Sequence, residues 1–175
     1  ATAAFSGGIS DTQGNLADSG SITANLTTVK NEDGDVAITI SDDASTAMTA
    51  ANLSAIGSAT SGTVTVTNAA AISGTRSQVT GALVTTDSLV VAATATVTIS
   101  DDAGTAMNAS DLSAIGEKTS GTVTVTNAAA ISGTGSEVTA ALITTDTKVV
   151  LGAVSTPITV SDAINVSDGA AIAGV

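Results

Sequence analysis

The chain has 175 residues, which is enough for one domain with a continuous buried core. Sixteen acidic residues stand against four basic ones, a formal net charge of −12, so the chain lacks the clustered Lys and Arg that binding to nucleic acid needs. Histidine and cysteine are absent, which removes the usual proton-transferring side chain, the strongest nucleophile, disulfide bonds and thiolate metal sites, and we expect no enzyme.

The apolar residues are small. Hydrophobic residues make up 43% of the chain, yet Phe5 is its only aromatic residue. Ala, Val, Ile and Leu in these proportions favour closely stacked layers over one large core. No apolar run approaches the ~18 residues of a transmembrane helix, so we expect no membrane insertion. The composition predicts a secreted or cell-surface protein. If the chain is exported, its signal has been removed, and Ala1-Thr2-Ala3 is compatible both with a processed end and with a sequence cut from a longer one.

Residues 1–40 form an N-terminal partial repeat. Residues 22–28 (Ile-Thr-Ala-Asn-Leu-Thr-Thr) are similar to residues 79–85 (Val-Thr-Gly-Ala-Leu-Val-Thr). Residues 31–35 (Asn-Glu-Asp-Gly-Asp) offer oxygen atoms at alternate positions but match no complete calcium-loop pattern. We interpret them as a polar loop.

Two full repeats follow, residues 41–99 and 100–158. Ser41 returns as Ser100, and this offset is the period of the repeat. The register is kept through the segment Ser-Gly-Thr-Val-Thr-Val-Thr-Asn, which occurs at 61–68 and again at 120–127. Residues 159–175 form a C-terminal partial repeat. Identity over this length indicates a repeat protein with one continuous domain.

Each repeat contains two strand-and-helix units, since residues 96–99 align with residues 122–125. Alternation in residues 63–67 predicts a strand with Val64 and Val66 pointing inward and the threonines pointing outward. Asn108 is predicted to begin one helix, which Gly116 ends, and Thr134 with Glu137 forms a capping box before the next.

The second unit of each repeat is longer. Residues 88–91 and 147–150 are predicted to form an additional strand. A short strand and a short helix cannot close a core alone, whereas stacked copies can. We therefore predict an α/β repeat solenoid of parallel strands with short helices on one side. The alternative is an all-β sandwich of the kind found in tandem adhesin repeats.

Acidic residues follow equivalent strands and are the candidate metal ligands. Stacked at the corners of a solenoid, their carboxylates could share Ca²⁺, which binds several oxygen ligands. Turn formation with solvated side chains is the alternative. The candidate calcium ligands are Asp42, Asp43, Asp101, Asp102 and Asp162. No cofactor is required. Asn68 and Asn127 end equivalent strands and are predicted to stack inward and hydrogen-bond the backbone of the next turn.

Outward threonines suggest a further binding function. Ranks of Thr hydroxyl and methyl groups are similar to the flat face of β-solenoid ice-binding proteins, but the unequal lengths of the two units in each repeat count against a regular array. Carbohydrate binding is disfavoured because sugar sites usually need an aromatic platform and the chain has only Phe5.

The segments Thr-Val-Thr-Val-Thr-Asn, Val-Thr-Ile-Ser-Asp-Asp and Leu-Ser-Ala-Ile-Gly resemble repeats of very large secreted proteins of cyanobacteria and other marine bacteria, often called adhesin-like or haemagglutinin-like. The resemblance extends from about Ser19 onward. It implies a surface location, modular length and a stalk, sheath or attachment role. Because open solenoid ends expose unpaired strand edges, we also expect association with neighbouring repeats or with other subunits in a filament. A phage fibre or capsid-decoration protein has a similar composition.

Overall fold

The fold is mixed α/β, with parallel sheets flanked by short helices. The computed structural model describes residues 3–127, 129–144, 148–152 and 156–175. The strands are β1 (Ile9–Asp11), β2 (Ala17–Asp18), β3 (Ser21–Ile22), β4 (Ile38–Ile40), β5 (Ala47–Thr49), β6 (Val64–Val66), β7 (Ala71–Gly74), β8 (Val90–Val91), β9 (Thr96–Ile99), β10 (Ala106–Asn108), β11 (Val123–Val125), β12 (Ala130–Gly133), β13 (Val149–Leu151) and β14 (Ile158–Val160). The helices are α1 (Gln13–Leu16), α2 (Ala24–Glu32), α3 (Ala50–Gly57), α4 (Arg76–Leu83), α5 (Ala109–Gly116), α6 (Gly135–Leu142) and α7 (Val166–Ala173).

The pairing of the strands follows one rule. From β4 to β14, each sheet contact joins a strand to the strand that lies three elements further along the chain, and every such pair is parallel. The sheets have the orders β1-β4-β6-β8, β5-β7-β9-β11-β13 and β10-β12-β14. The prediction of parallel strands with short helices is confirmed. The all-β alternative is wrong, because helices are inserted between the paired strands.

The order of strands and helices repeats along the chain, as the sequence does. The seven elements from β4 to β8 recur in the same order from β9 to β13. Strand β9 joins the two repeats, because it pairs with β7 of the first repeat and with β11 of the second. Ile72 lies opposite Val97, which lies opposite Val123. The two repeats therefore share one sheet.

The strand predictions agree with the structure. In β6, Val64 and Val66 are buried, Thr65 is half-buried, and Thr63 and Thr67 are exposed. The additional strand of the longer units forms as β8 and as β13, although residue 147 lies outside the described residues.

Helix caps also follow the sequence. The predicted capping box of Thr134 and Glu137 forms, and the equivalent Thr75 and Gln78 form another. Asn108 occupies the N-cap position of α5, but its side chain makes no capping hydrogen bond. Helix α5 ends at Gly116, as predicted.

One hydrophobic cluster runs through both repeats. Most of the largest fully buried side chains come in equivalent pairs: Ile40 and Ile99, Met48 and Met107, Leu53 and Leu112, Ile56 and Ile115, Ile72 and Ile131. Gly62 and Gly121 allow the loops before β6 and β11 to pack closely. A Cβ atom would lie 2.4 Å from the Asp35 carbonyl oxygen at Gly62 and 2.2 Å from the Ala95 carbonyl oxygen at Gly121.

The N-terminal partial repeat differs from the full ones. Strands β2 and β3 form an antiparallel hairpin whose turn contains Ser19 and Gly20, both at positive φ. The amide side chain of Asn52 on α3 holds this hairpin, since it accepts a hydrogen bond from the Gly20 N–H at 2.7 Å and donates one to the Ala17 carbonyl at 3.2 Å. Among the described helices, none is both long and apolar enough to span a membrane.

Candidate functional site

Three of the predicted calcium ligands accept hydrogen bonds from helix N-termini. The carboxylate of Asp42 accepts a hydrogen bond from the Gln13 N–H at 2.6 Å, and that of Asp162 accepts one from the Gly135 N–H at 2.6 Å. Asp101 does the same with the Arg76 N–H at 2.5 Å. Each N–H belongs to the first residue of a helix, α1, α6 or α4.

These contacts repeat because of where the aspartates stand. Each follows a strand that pairs with the strand before the helix it contacts, namely β4 with β1, β9 with β7 and β14 with β12. The first N–H groups of a helix have no partner inside the helix and carry partial positive charge. The aspartate therefore caps a helix of the adjacent unit and ties the two units together.

Loss of one such carboxylate should destabilise the fold. Asp101→Ala leaves the Arg76 N–H without its charged acceptor, and we expect the free energy of unfolding to fall by about 1.5–3 kcal/mol, the range for a hydrogen bond to a charged group. The exposed neighbour is the control, since Asp102→Ala should stay within about 0.5 kcal/mol of the parent. Urea denaturation measures both, and equal losses would contradict the capping role.

The other two predicted ligands lie in turns. The backbone carbonyls of Asp43 and Asp102 accept hydrogen bonds from Thr46 and Thr105, and both aspartates are exposed. In the part of the chain that the structure describes, no three Asp or Glu residues are grouped so that they could hold a metal ion. Calcium binding by these five residues stays a prediction.

Asn68 and Asn127 hydrogen-bond the backbone of a neighbouring turn as predicted, but the turn is the preceding one and not the next. The Asn68 side-chain amide donates to the Asp42 carbonyl at 2.6 Å, and that of Asn127 donates to the Asp101 carbonyl at 2.7 Å. Both side chains are exposed rather than turned into the core. They reinforce the corners at which the capping aspartates stand.

Acidic side chains of the segment 31–35 hydrogen-bond the backbone near residue 3 and residue 5. Asp33 accepts a hydrogen bond from the Phe5 N–H at 2.6 Å, and Glu32 accepts one from the Ala3 N–H at 3.1 Å. The Phe5 N–H, followed by the Asp35 side chain, lowers the pKa of Asp33. The Asn15 side chain, followed by the Thr12 N–H, lowers the pKa of Asp11.

Acid should loosen this N-terminal contact. Because the folded pKa of Asp33 lies below its unfolded value, its stabilising effect is present above about pH 3.9 and is lost as the pH falls through the folded pKa. An NMR titration should show the Phe5 amide signal moving together with the Asp33 carboxyl signal. In Asp33→Asn that step should vanish, and its persistence would contradict the assignment.

An ion pair links α4 to α5, between Arg76 and Asp111. Neutral residues take the equivalent places one repeat earlier, where Gln13 begins α1 and Asn52 lies on α3. The Gln13 side-chain oxygen accepts a hydrogen bond from the Thr49 N–H at 3.1 Å. The charged side chains of Arg76 and Asp111 are therefore replaced by the amide side chains of Gln13 and Asn52 at the equivalent positions.

A surface groove of about 370 Å³ contains Glu117, Lys118 and Lys148. Sequence reasoning missed this grouping, because the period places Lys118 opposite Ala59 and Lys148 opposite Leu89. The remainder of its lining consists of Ala93, Thr119 and Ser120.

No family model, curated protein or solved structure matches the chain.

Threonines form an ordered patch on the five-stranded sheet. Thr98 lies opposite Thr124, with Ser73 and Val150 continuing the same row at either side. Thr96 and Thr122 precede Thr98 and Thr124 by two residues and share their face of the sheet. The strands are in register here, although the two units of each repeat differ in length.

The last described turn leaves apolar side chains partly uncovered. Strand β14 is at the edge of its sheet, and Ile158 and Val160 are only half-buried. The equivalent residues of β9, Val97 and Ile99, are fully buried because β11 lies against them. The edge of β14 is the clearest candidate interaction surface.

Proposed function

We propose that this chain is a solenoid segment of an extracellular structural or adhesive protein, whose function is extension and self-association. The observation that carries the proposal is the pairing of β9 with both β7 and β11, which makes two repeats one continuous sheet. Because each repeat of such a stack contacts only its neighbours, further repeats can lengthen the protein without changing the fold.

The element pattern favours a three-sided solenoid. Strands pair with the third element along the chain, so three elements make one turn, and seven elements per repeat make two and one-third turns. Each repeat would therefore be rotated by a third of a turn from the one before. In this arrangement the pair α3 and α4 lies on a different face from the pair α5 and α6, and the ion pair of Arg76 with Asp111 spans the corner between them.

The chemistry supports a structural role over catalysis. Histidine and cysteine are absent from the sequence, and the carboxylates of Asp42, Asp101 and Asp162 accept hydrogen bonds from helix N-termini. The buried core consists mainly of aliphatic side chains, and these recur at the same places in both repeats. A net charge of −12 keeps such an elongated protein soluble outside the cell.

Electron microscopy and sedimentation velocity test the proposal. We expect rods or filaments, with a sedimentation coefficient that rises with protein concentration. A stable, compact monomer at every concentration would contradict self-association. Short, blunt fibres attached to phage particles would favour the phage-fibre alternative.

Ice binding is a second candidate, favoured by the threonine patch. Hydroxyl and methyl groups at fixed spacing on a flat sheet can hold ordered water, and Thr96, Thr98, Thr122 and Thr124 form a block of two by two. Thermal hysteresis of the parent and of Thr98→Tyr tests it. Equal freezing behaviour of both proteins would eliminate this function.

A further inference from the structure

We propose that the outer edge of β14 binds an extended, parallel strand of alternating valine and threonine, of the kind that β11 presents to β9. The inference rests on the proposed function and names the contact through which repeats associate. The precedent is β11, which carries this alternation and covers the equivalent edge of β9.

The backbone of β14 is ready for such a strand. The Pro157 carbonyl and the Ser161 N–H bond to β12, at Ile131 and Gly133. Because alternate residues of a strand direct their polar groups to opposite neighbours, those of Ile158 and Val160 point away from β12.

Strand β9 shows what these groups can bind. The Val97 N–H donates to the Thr122 carbonyl at 2.9 Å, and the Ile99 carbonyl accepts from the Thr126 N–H at 3.1 Å. Ile158 and Val160 are the counterparts of Val97 and Ile99, since Ile131 is opposite Ile158 as Ile72 is opposite Val97. A strand seated on β14 would make the same two hydrogen bonds.

The side chains of β14 also fit a strand with valine at its inward positions. Ile158 and Val160 are aliphatic and half-buried, whereas Val97 and Ile99 at the covered edge are 1% and 0% exposed. A strand with valine at its inward positions, such as Val123 and Val125 of β11, completes this burial.

The edge also lacks the features that protect exposed strands. Edge strands are usually blunted by charged side chains, by proline or by bulges. Strand β14 reads Ile-Thr-Val, with no charge. The single proline of the chain, Pro157, directs its backbone toward β12 and so removes no donor from the outer edge.

A synthetic peptide, Ser-Gly-Thr-Val-Thr-Val-Thr-Asn, is the probe, since this segment stands at residues 120–127 and carries β11. We expect saturable binding, with amide exchange of Ile158 slowed at least about tenfold, which corresponds to about 1.4 kcal/mol. A peptide with both valines replaced by glutamate is the matched control and should not bind.

Val160→Pro tests the site on the protein. Its N–H makes no bond to β12, so the fold should survive while the peptide no longer binds. If that variant melts early, Thr159→Lys replaces it, because a charged side chain on an edge strand opposes pairing. Unchanged peptide binding in a folded variant, binding elsewhere, or a β14 to β14 dimer that excludes the peptide would overturn the inference.

The two proposals fail separately. Filaments that persist in folded Val160→Pro would leave self-association standing and remove β14 as its contact. Peptide binding by a protein that stays monomeric and never forms rods would do the opposite.

Discussion

Replacing Leu112 with alanine should lower the free energy of unfolding by about 2–5 kcal/mol, the range for deleting a large aliphatic side chain from a packed core. Leu112 lies on α5 and has no exposed surface. Its equivalent, Leu53, is equally buried on α3, so Leu53→Ala should cost a similar amount. Urea denaturation followed by circular dichroism measures the loss.

Leu89→Ala is the matched control, because the Leu89 side chain is 39% exposed. Its loss should be well below that of Leu112→Ala. In a continuous stack, the Leu112 substitution should also move the unfolding of both repeats together. Two separate transitions, of which only one moves, would indicate repeats that fold as independent units.

Replacing Gly121 with alanine should destabilise the protein by about 1–3 kcal/mol, the usual cost of overpacking. The new Cβ would lie 2.2 Å from the Ala95 carbonyl oxygen and 3.1 Å from the Thr96 nitrogen. Both atoms belong to the backbone at the start of β9, so neither can turn aside as a side chain would. The β9 and β11 strands would have to separate.

Gly14→Ala is the control, since a Cβ there meets nothing within 4 Å. Gly14 lies in α1, where alanine is favoured over glycine by up to about 1 kcal/mol. We expect no loss of stability at Gly14 and a clear loss at Gly121, by thermal melting or denaturant. A Gly121→Ala protein as stable as the parent would contradict the close approach of these loops.

The parallel strands could be predicted because their sequence is locally unambiguous. Val64 and Val66 alternate with threonine, a pattern that suits a strand with one buried face. The capping box of Thr134 and Glu137 is equally local, since its two partners are separated by less than one helical turn. The long period then indicated that whatever formed once would form twice.

The sequence does not predict short strands such as β5 and β10. Ala106–Asn108 contains alanine, methionine and asparagine, which have no preference for strands, and it forms one because β12 lies beside it. Tertiary pairing decides such segments, and a single sequence does not contain that information. The hairpin of β2 and β3 depends in the same way on Asn52, which belongs to the following repeat.

The role of the capping aspartates was also beyond sequence reasoning. Asp101 and Arg76 are far apart in the chain, and their contact exists only when β9 is paired with β7. The sequence indicated that the aspartates recur at strand ends, which suggested a metal. What it could not indicate is that a helix N-terminus lies within reach of each of three carboxylates.

The most direct test of the continuous stack is the distance between Thr49 and Val150, at opposite ends of the five-stranded sheet. The chain has no cysteine, so cysteines placed at these two positions can carry spin labels without interference. Four strand spacings of about 4.8 Å predict a backbone separation of about 19 Å. Double electron–electron resonance should give a single distance distribution that differs from this value by no more than the length of the labels. A broad distribution at much longer distances would contradict the shared sheet.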